Sequence, residues 1–351
     1  MLALTRLKSV SGFLYLVKGA SCCLSWLGLN WFCVIWLSLV SPLVFAGEPK
    51  STNSESQSLF VDIVLNGDRL IAVGERGQII YSDNQGLVWI TAQVPSRVLL
   101  TAVFFVDANT GWAVGHNSSI LHSNDGGETW VEQYNGRIIH LNDKNQLDDS
   151  GSPFLDLWFK NANEGFVVGA YGRFLRTNDG GKTWLDWSAH IDNEDGWHLN
   201  RVAQFSDGAL LMVGEHGVVY RSRNEGYDWQ SLSSPYEGSL FGIVSLEGSM
   251  AALIFGSQGK LYRTQDQGDS WTPVDSQVST PLNSGVLLEN GTIYIVGNNG
   301  VLLQSSDNGN HFSKSVVNEG RSIVGISAGG LTAARGDRAL VWGGQGGVRV
   351  Y

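Results

Sequence analysis

The stretch Ser123-Asn124-Asp125-Gly126-Gly127-Glu128-Thr129-Trp130 decides how the rest of the chain is read. It returns as Thr177-Asn178-Asp179-Gly180-Gly181-Lys182-Thr183-Trp184 and as Thr264-Gln265-Asp266-Gln267-Gly268-Asp269-Ser270-Trp271. Weaker copies are Ser82-Asp83-Asn84-Gln85-Gly86-Leu87-Val88-Trp89, Ser222-Arg223-Asn224-Glu225-Gly226-Tyr227-Asp228-Trp229 and Ser305-Ser306-Asp307-Asn308-Gly309-Asn310-His311-Phe312. The closing aromatics are 41, 54, 45, 42 and 41 residues apart, so these are copies of one structural unit. Each residue type has a turn-making job. The short Asp or Asn accepts backbone N–H groups across a tight bend, and the Gly takes a positive φ that a side chain would penalise. The Ser or Thr hydroxyl ties the other arm, and the Trp buries a large ring that pins the hairpin to the body. A row of carboxylates for metal or acid–base work is the weaker reading, because each Asp is already used as a turn acceptor.

The pattern S/T-x-D/N-x-G-x-x-W resembles the Asp-box, or BNR repeat. A second element precedes each box: Val73-Gly-Glu-Arg-Gly77, Val114-Gly-His-Asn-Ser118, Val168-Gly-Ala-Tyr-Gly172, Val213-Gly-Glu-His-Gly217, Phe255-Gly-Ser-Gln-Gly259 and Val296-Gly-Asn-Asn-Gly300. A seventh copy, Gly343-Gly-Gln-Gly-Gly347, has no box after it. A two-residue turn between apolar runs is a hairpin signal, and another apolar run, such as Phe154-Leu-Asp-Leu-Trp158, lies upstream of each copy. One unit is therefore strand, strand, Gly turn, strand, Asp-box turn, strand. Four strands in about 42 residues are the signature of a propeller blade. The spacing predicts an all-β, seven-bladed β-propeller with Asp-box turns over residues 59–351. In the third strand, Ile80, Leu121, Leu175, Tyr220, Tyr262, Leu303 and Val350 form one apolar column, and Ile79, Ile120, Phe174, Val219, Leu261 and Leu302 form its opposite. Sheets apolar on both faces are sandwiched between neighbours.

Two departures from the repeat stand out. The step from Trp130 to Trp184 is long because of a polar insertion over residues 137–153, either a specificity loop or a tolerated surface loop. The seventh unit stops after its third strand, so either that blade is left short or some of residues 48–57, within the N-terminal segment 47–58, pairs with the strand ending at Tyr351 and closes the ring, which is the expectation.

Residues 1–46 read as an export leader. Arg6, Lys8 and Lys18 precede a stretch without charge, and Val44 and Ala46 stand at the small-residue positions before Gly47. The competing reading is an uncleaved anchor over residues 24–45, long enough to span a bilayer. Either way the remainder is exported, as a periplasmic or lumenal domain, since the positive flank stays inside. Cys22, Cys23 and Cys33 all lie in the leader, so the rest of the chain carries no thiol nucleophile, cysteine metal site or disulfide. Without the leader the chain has 20 basic and 33 acidic residues. An excess of acid argues against nucleic acid and anionic membranes as partners.

No cofactor, metal site or catalytic set is expected. Asp-box propellers include sialidases, so a secreted glycan-active or glycan-binding protein is the alternative function. That chemistry needs paired catalytic groups across the scissile bond, and the Arg-Ile-Pro signature of sialidases is absent, since Arg97 precedes Val-Leu-Leu. The histidines show no metal spacing; His190 and His198 share a polar loop with Asp192, Glu194 and Asp195. Arg176, Arg221 and Arg263 are more distinctive. They stand immediately before three consecutive boxes, on adjacent blades, and so predict an arc. That arc is either a docking patch for an anionic partner or a set of ion pairs within the blades.

The runs GWAVG…TW at 111–130 and EGFVVGAYGRFLRTNDGGKTW at 164–184 give the chain a further likeness. Over nearly all of residues 59–351 it resembles the Ycf48/HCF136 family of photosystem II stability and assembly factors and their relatives in non-photosynthetic bacteria. The resemblance implies a seven-bladed, non-enzymatic scaffold whose partner is an integral membrane complex or its assembly intermediate. Photosynthetic members bear an arginine-rich surface, and Arg173, Arg176, Arg221 and Arg263 are the positions here that would match it.

Overall fold

The structure, a computed structural model, describes residues 51–52, 58–136, 151–246, 250–331, 338–345 and 347–350. The chain divides into residues 1–47, which lie outside the described residues, and residues 48–351. The leader or anchor reading, and most of the 137–153 insertion, lie outside the described residues. No helix among the described residues is long and apolar enough to cross a membrane.

The remaining unit is a ring of seven antiparallel sheets, the seven-bladed propeller that the repeat spacing predicts. The inner strands are Phe60–Asn66, Leu100–Phe105, Phe154–Phe159, Leu199–Gln204, Leu240–Ser245, Leu282–Leu287 and Ile323–Leu331. Each lies against the inner strands of the blades before and after it, and the seventh lies against the first. The pairing of each inner strand with the second strand slips by one residue, at positions 61, 101, 155, 200, 241, 283 and 324. Such a bulge turns one extra side chain out of the ladder, and here the extra side chain faces the central channel.

The Gly turns bring second-strand backbone very close to the start of the inner strand. A Cβ on Gly74 would sit 2.1 Å from the carbonyl oxygen of Leu59, so no side chain fits there. In all six boxes the Gly amide donates to the Ser or Thr hydroxyl at 2.8–3.0 Å. The amide before the closing aromatic donates to the Asp or Asn Oδ1, also at 2.8–3.0 Å. The aromatic itself packs on the blade behind. Trp130 of blade two joins Ile71, Val73 and Ile79 of blade one. Trp184 joins blade two, Trp229 blade three, Trp271 blade four and Phe312 blade five.

Blade seven departs from this plan, and so does the expected closure. Its sheet has three strands among the described residues, and Ser51–Thr52 does not join it. Instead Ser51 pairs with Ile90 and Thr52 with Trp89, as a fifth strand on the outer edge of blade one. Among the described residues no strand is exchanged at closure, and the box of blade one seals blade seven by packing. Trp89 is buried with Val341 and Val348, and Val350 presses on Gly86, where a Cβ would meet its Cγ2 at 2.7 Å. With no box among the described residues of blade seven, the boundary with blade six gets its indole from the second strand. Trp342 is buried there beside Val296 and Leu302, at a position filled by Ala72 in blade one and Ala113 in blade two.

Candidate functional site

Arg176, Arg221 and Arg263 do occupy equivalent positions on consecutive blades, but they are buried, with 5%, 6% and 8% of their surface exposed. Each side chain crosses to the next blade. Arg176 Nη1 donates to the carbonyl of Glu225 at 3.0 Å, Arg221 Nη1 to Gln267 at 3.1 Å and Arg263 Nε to Asn308 at 3.0 Å. In every case the acceptor is the residue after the box Asp or Asn, held at a positive φ of 58–62°. That conformation aims its carbonyl out of the turn and back at the preceding blade. Arg221 adds an ion pair with Asp269 at 2.9 Å, and Arg176 stacks 3.7 Å over the Tyr227 ring. Buried in this way, the three side chains act as inter-blade clamps and do not form an exposed arc. The physical cause is that the third strand of each blade faces the box turn of the next.

Blades that lack this arginine satisfy the same carbonyl by other means. Arg69, on the second strand of blade one, stacks over Tyr81 at 4.5 Å and donates to Gly126 at 3.1 Å. Gln133, on the fourth strand of blade two, donates to Gly180 at 2.9 Å. Five successive boundaries thus use one device with three different side-chain origins. Arg173 sits apart from it, half-buried, with Nη2 3.4 Å from the Tyr134 hydroxyl and its guanidinium 5.5 Å over Phe154.

The channel holds a charged group that reading the repeats missed. Asp62, Asp156 and Arg201 occupy the position after the bulge in blades one, three and four. Asp62 Oδ2 accepts the Val103 amide at 3.0 Å and Asp156 Oδ2 the Val202 amide at 2.7 Å, each from the following blade. Arg201 lies between the two carboxylates, 3.7 Å from each. Burial pushes Asp156 up to about 6 against the pull of Arg201, and raises Asp62 for the same reason. The Asp156 carboxylate in turn raises Arg201. Bulge residues add Thr101 to the Phe154 carbonyl, Asn200 to Leu240 and Asn283 to Ile323, at 2.7–2.8 Å. A cavity of about 200 Å³ remains among them. An acid in the middle of Phe-Val-Asp-Ile-Val or Phe-Leu-Asp-Leu-Trp was the signal available.

The polar loop with His190 and His198 does not bring the two rings together. His190 stacks on Trp187 at 3.9 Å and faces Asp228 at 3.5 Å. His198 meets Tyr171 edge to face at 5.1 Å, with its Nδ1 3.8 Å from Glu215. Trp197, between them in sequence, packs on His216 at 3.8 Å. Tyr171, His198, Trp197 and His216 lie at or beside the Gly turns of blades three and four, whereas His190 and Trp187 reach the box of blade four.

Known proteins place this geometry in a family. A family model described as photosynthesis system II assembly factor YCF48 matches residues 81–147 and 139–284. The photosystem II stability/assembly factor HCF136 of Arabidopsis thaliana is 27% identical over 140 residues, 39% of this chain and 32% of that protein. The chain thus aligns with about a third of that relative's length. Among solved structures, YCF48 bound to a D1 peptide has a TM-score of 0.62 at 16% identity, covering 86% of this chain and 95% of that one. YCF48 from Cyanidioschyzon merolae has a TM-score of 0.63 at 16% identity, covering 86% and 97%. A streptogramin B lyase has a TM-score of 0.67 at 14% identity, covering 86% and 98%, so the fold alone is shared across unrelated chemistry. The family model spans more than half of the chain, and this protein belongs to the YCF48 family of photosystem II assembly factors.

Proposed function

We propose that the chain is an exported, non-catalytic scaffold that holds a segment of an integral membrane complex, or of its assembly intermediate, while the complex is put together. The observation that carries this reading is how the buried ionisable groups are used. Asp62 and Asp156 each accept a main-chain amide of the neighbouring blade and share Arg201. Their charges are spent on holding the ring, and the chemistry left for a partner lies on the outer surface. The described relatives support the same role: one is named as a stability and assembly factor, and another was solved with a peptide of D1. Export belongs to the reading through the positive start and uncharged stretch of residues 1–46.

Deleting the gene and resolving the host's membrane complexes on two-dimensional native gels tests the proposal. One complex should pile up as a smaller intermediate, and the full-length chain should restore it. Unchanged complexes in the deletion strain would refute the scaffold role.

A further inference from the structure

Tyr171 is the most exposed of the described Phe, Tyr and Trp residues, 69% open, and it sits in a backbone conformation that a bulky residue rarely adopts, at φ 57°. The equivalent turn position holds Arg76, His216, Gln258 and Asn299, all at φ 51–58°. The turn therefore needs the left-handed conformation, and no structural demand for an aromatic ring explains Tyr171. Strain of this kind, held by surrounding structure at an exposed position, points toward function.

The surroundings are rigid and of one charge. Asn193 closes the adjoining loop, donating to the carbonyl of Trp197 at 2.9 Å and accepting the Trp197 amide at 3.0 Å. Gly196 fits that loop against Gly172 of the Tyr171 turn, at 3.4 Å from where a Cβ would be. His198 is thereby held against Tyr171, and Trp197, the residue before it, packs on His216 of the next blade. The same loop exposes Glu194 and Asp195, and Glu215 lies beneath His198, accepting its amide at 3.3 Å. The nearby cation Arg173 is directed the other way, onto Phe154 and Tyr134.

We propose that this face of blades three and four is a docking surface for a cationic, extended polypeptide segment. Lysine or arginine side chains lie over Tyr171 and Trp197, whose ring faces attract cations, and the carboxylates of Glu194, Asp195 and Glu215 meet their charge. The choice of occupant follows from that complementarity, and it rests on the scaffold reading above by naming what the scaffold holds. It also reverses the sign expected from the arginines, since those are folded into the blade boundaries.

The test uses residues 47–351 and a fluorescein-labelled peptide alternating glycine with lysine and arginine, read by anisotropy at low salt. A matched peptide with glutamate in place of the basic residues is the control. Tyr171→Gly relieves the left-handed strain, so thermal melting should show a fold at least as stable as the parent. Affinity for the basic peptide should nevertheless fall by about tenfold or more, as for loss of an aromatic anchor. Glu194→Gln, Asp195→Asn and Glu215→Gln combined should weaken it similarly. Equal affinity in parent and variants, equal affinity for the acidic peptide, or no binding by the parent would each overturn the proposal. The deletion strain separates this from the scaffold role. If only the docking surface is misassigned, Tyr171→Gly restores the membrane complex as well as the parent does. If the scaffold role fails, the deletion changes no complex even where the peptide binds.

Discussion

Arg221 on blade four and Gln267 in the box of blade five are joined by a buried hydrogen bond of 3.1 Å that crosses the blade boundary. The pairing explains a feature that neither blade explains alone. Gln267 stands at φ 58° because the box turn needs it, and its carbonyl then points out of its own sheet. A buried carbonyl without a donor is costly, and the preceding blade supplies one. The Gly126, Gly180, Glu225 and Asn308 carbonyls are met in the same way by Arg69, Gln133, Arg176 and Arg263.

Arg221→Ala should therefore lower stability by on the order of 1–3 kcal/mol, because it orphans a buried carbonyl and removes the bonds to Gln230 and Asp269. Arg263→Ala, which removes one such bond to Asn308, should cost less. Urea titrations of both variants check the order, and parental stability in Arg221→Ala would remove the clamp from the account.

Trp130→Ala and Trp184→Ala should each cost on the order of 3–5 kcal/mol, as for other buried aromatics cut to alanine. Trp342→Ala should cost a similar amount although it lies in no box, because it fills the boundary between blades six and seven. Melting temperatures of the three variants test this; a Trp342→Ala protein that melts with the parent would show that the boundary needs no indole.

The channel makes a prediction about pH. Asp156 in the folded chain is pushed up to about 6, above the ordinary carboxylate value of 3.8. Between those values the folded state binds the proton more tightly, so this group favours folding most at the acid end. Its contribution is lost as pH rises toward 6, by on the order of 3 kcal/mol. The boxes act in the opposite direction and lower on the scale. The Thr183 hydroxyl and amide hold Asp179 below its usual range, so its stabilisation is lost as pH falls below about 4. Asp156→Asn should keep the bond from Val202 and flatten the parent's slope between about pH 4 and pH 6. An unchanged slope in the variant would place the titrating group elsewhere.

Gly74→Ala should be among the most damaging single changes, on the order of 3 kcal/mol or more, because the added Cβ meets backbone, not a movable side chain. A soluble, normally melting Gly74→Ala protein would mean that the turn and the inner strand can separate.

The boxes and Gly turns were legible because every residue in them serves a turn that is local in sequence, as at Asp125 and Gly127. The arginine column was legible in position and misleading in role. What surrounds Arg176 is the turn at Glu225, 49 residues later, and one repeat does not reveal that it faces the next. Asp62, Asp156 and Arg201 stayed hidden because the bulge at the residue before each of them breaks the alternation that would have marked them as inward. The closing strand was expected from strand count, whereas Trp89 closes the ring by side-chain burial.

The forward reach of these clamps gives the ring a direction in time. Each box completes the blade made just before it, both by burying an aromatic against it and by accepting its donor. A chain emerging from its N-terminus can thus finish blade one when Trp130 arrives, blade two when Trp184 arrives, and so on toward blade five with Phe312. Trp89 is the exception. The first box to be synthesised has its target, Val341 and Val348, in the last blade. Its own blade covers part of the indole, but the rest waits for the seventh blade, so the earliest box is the last to be completed.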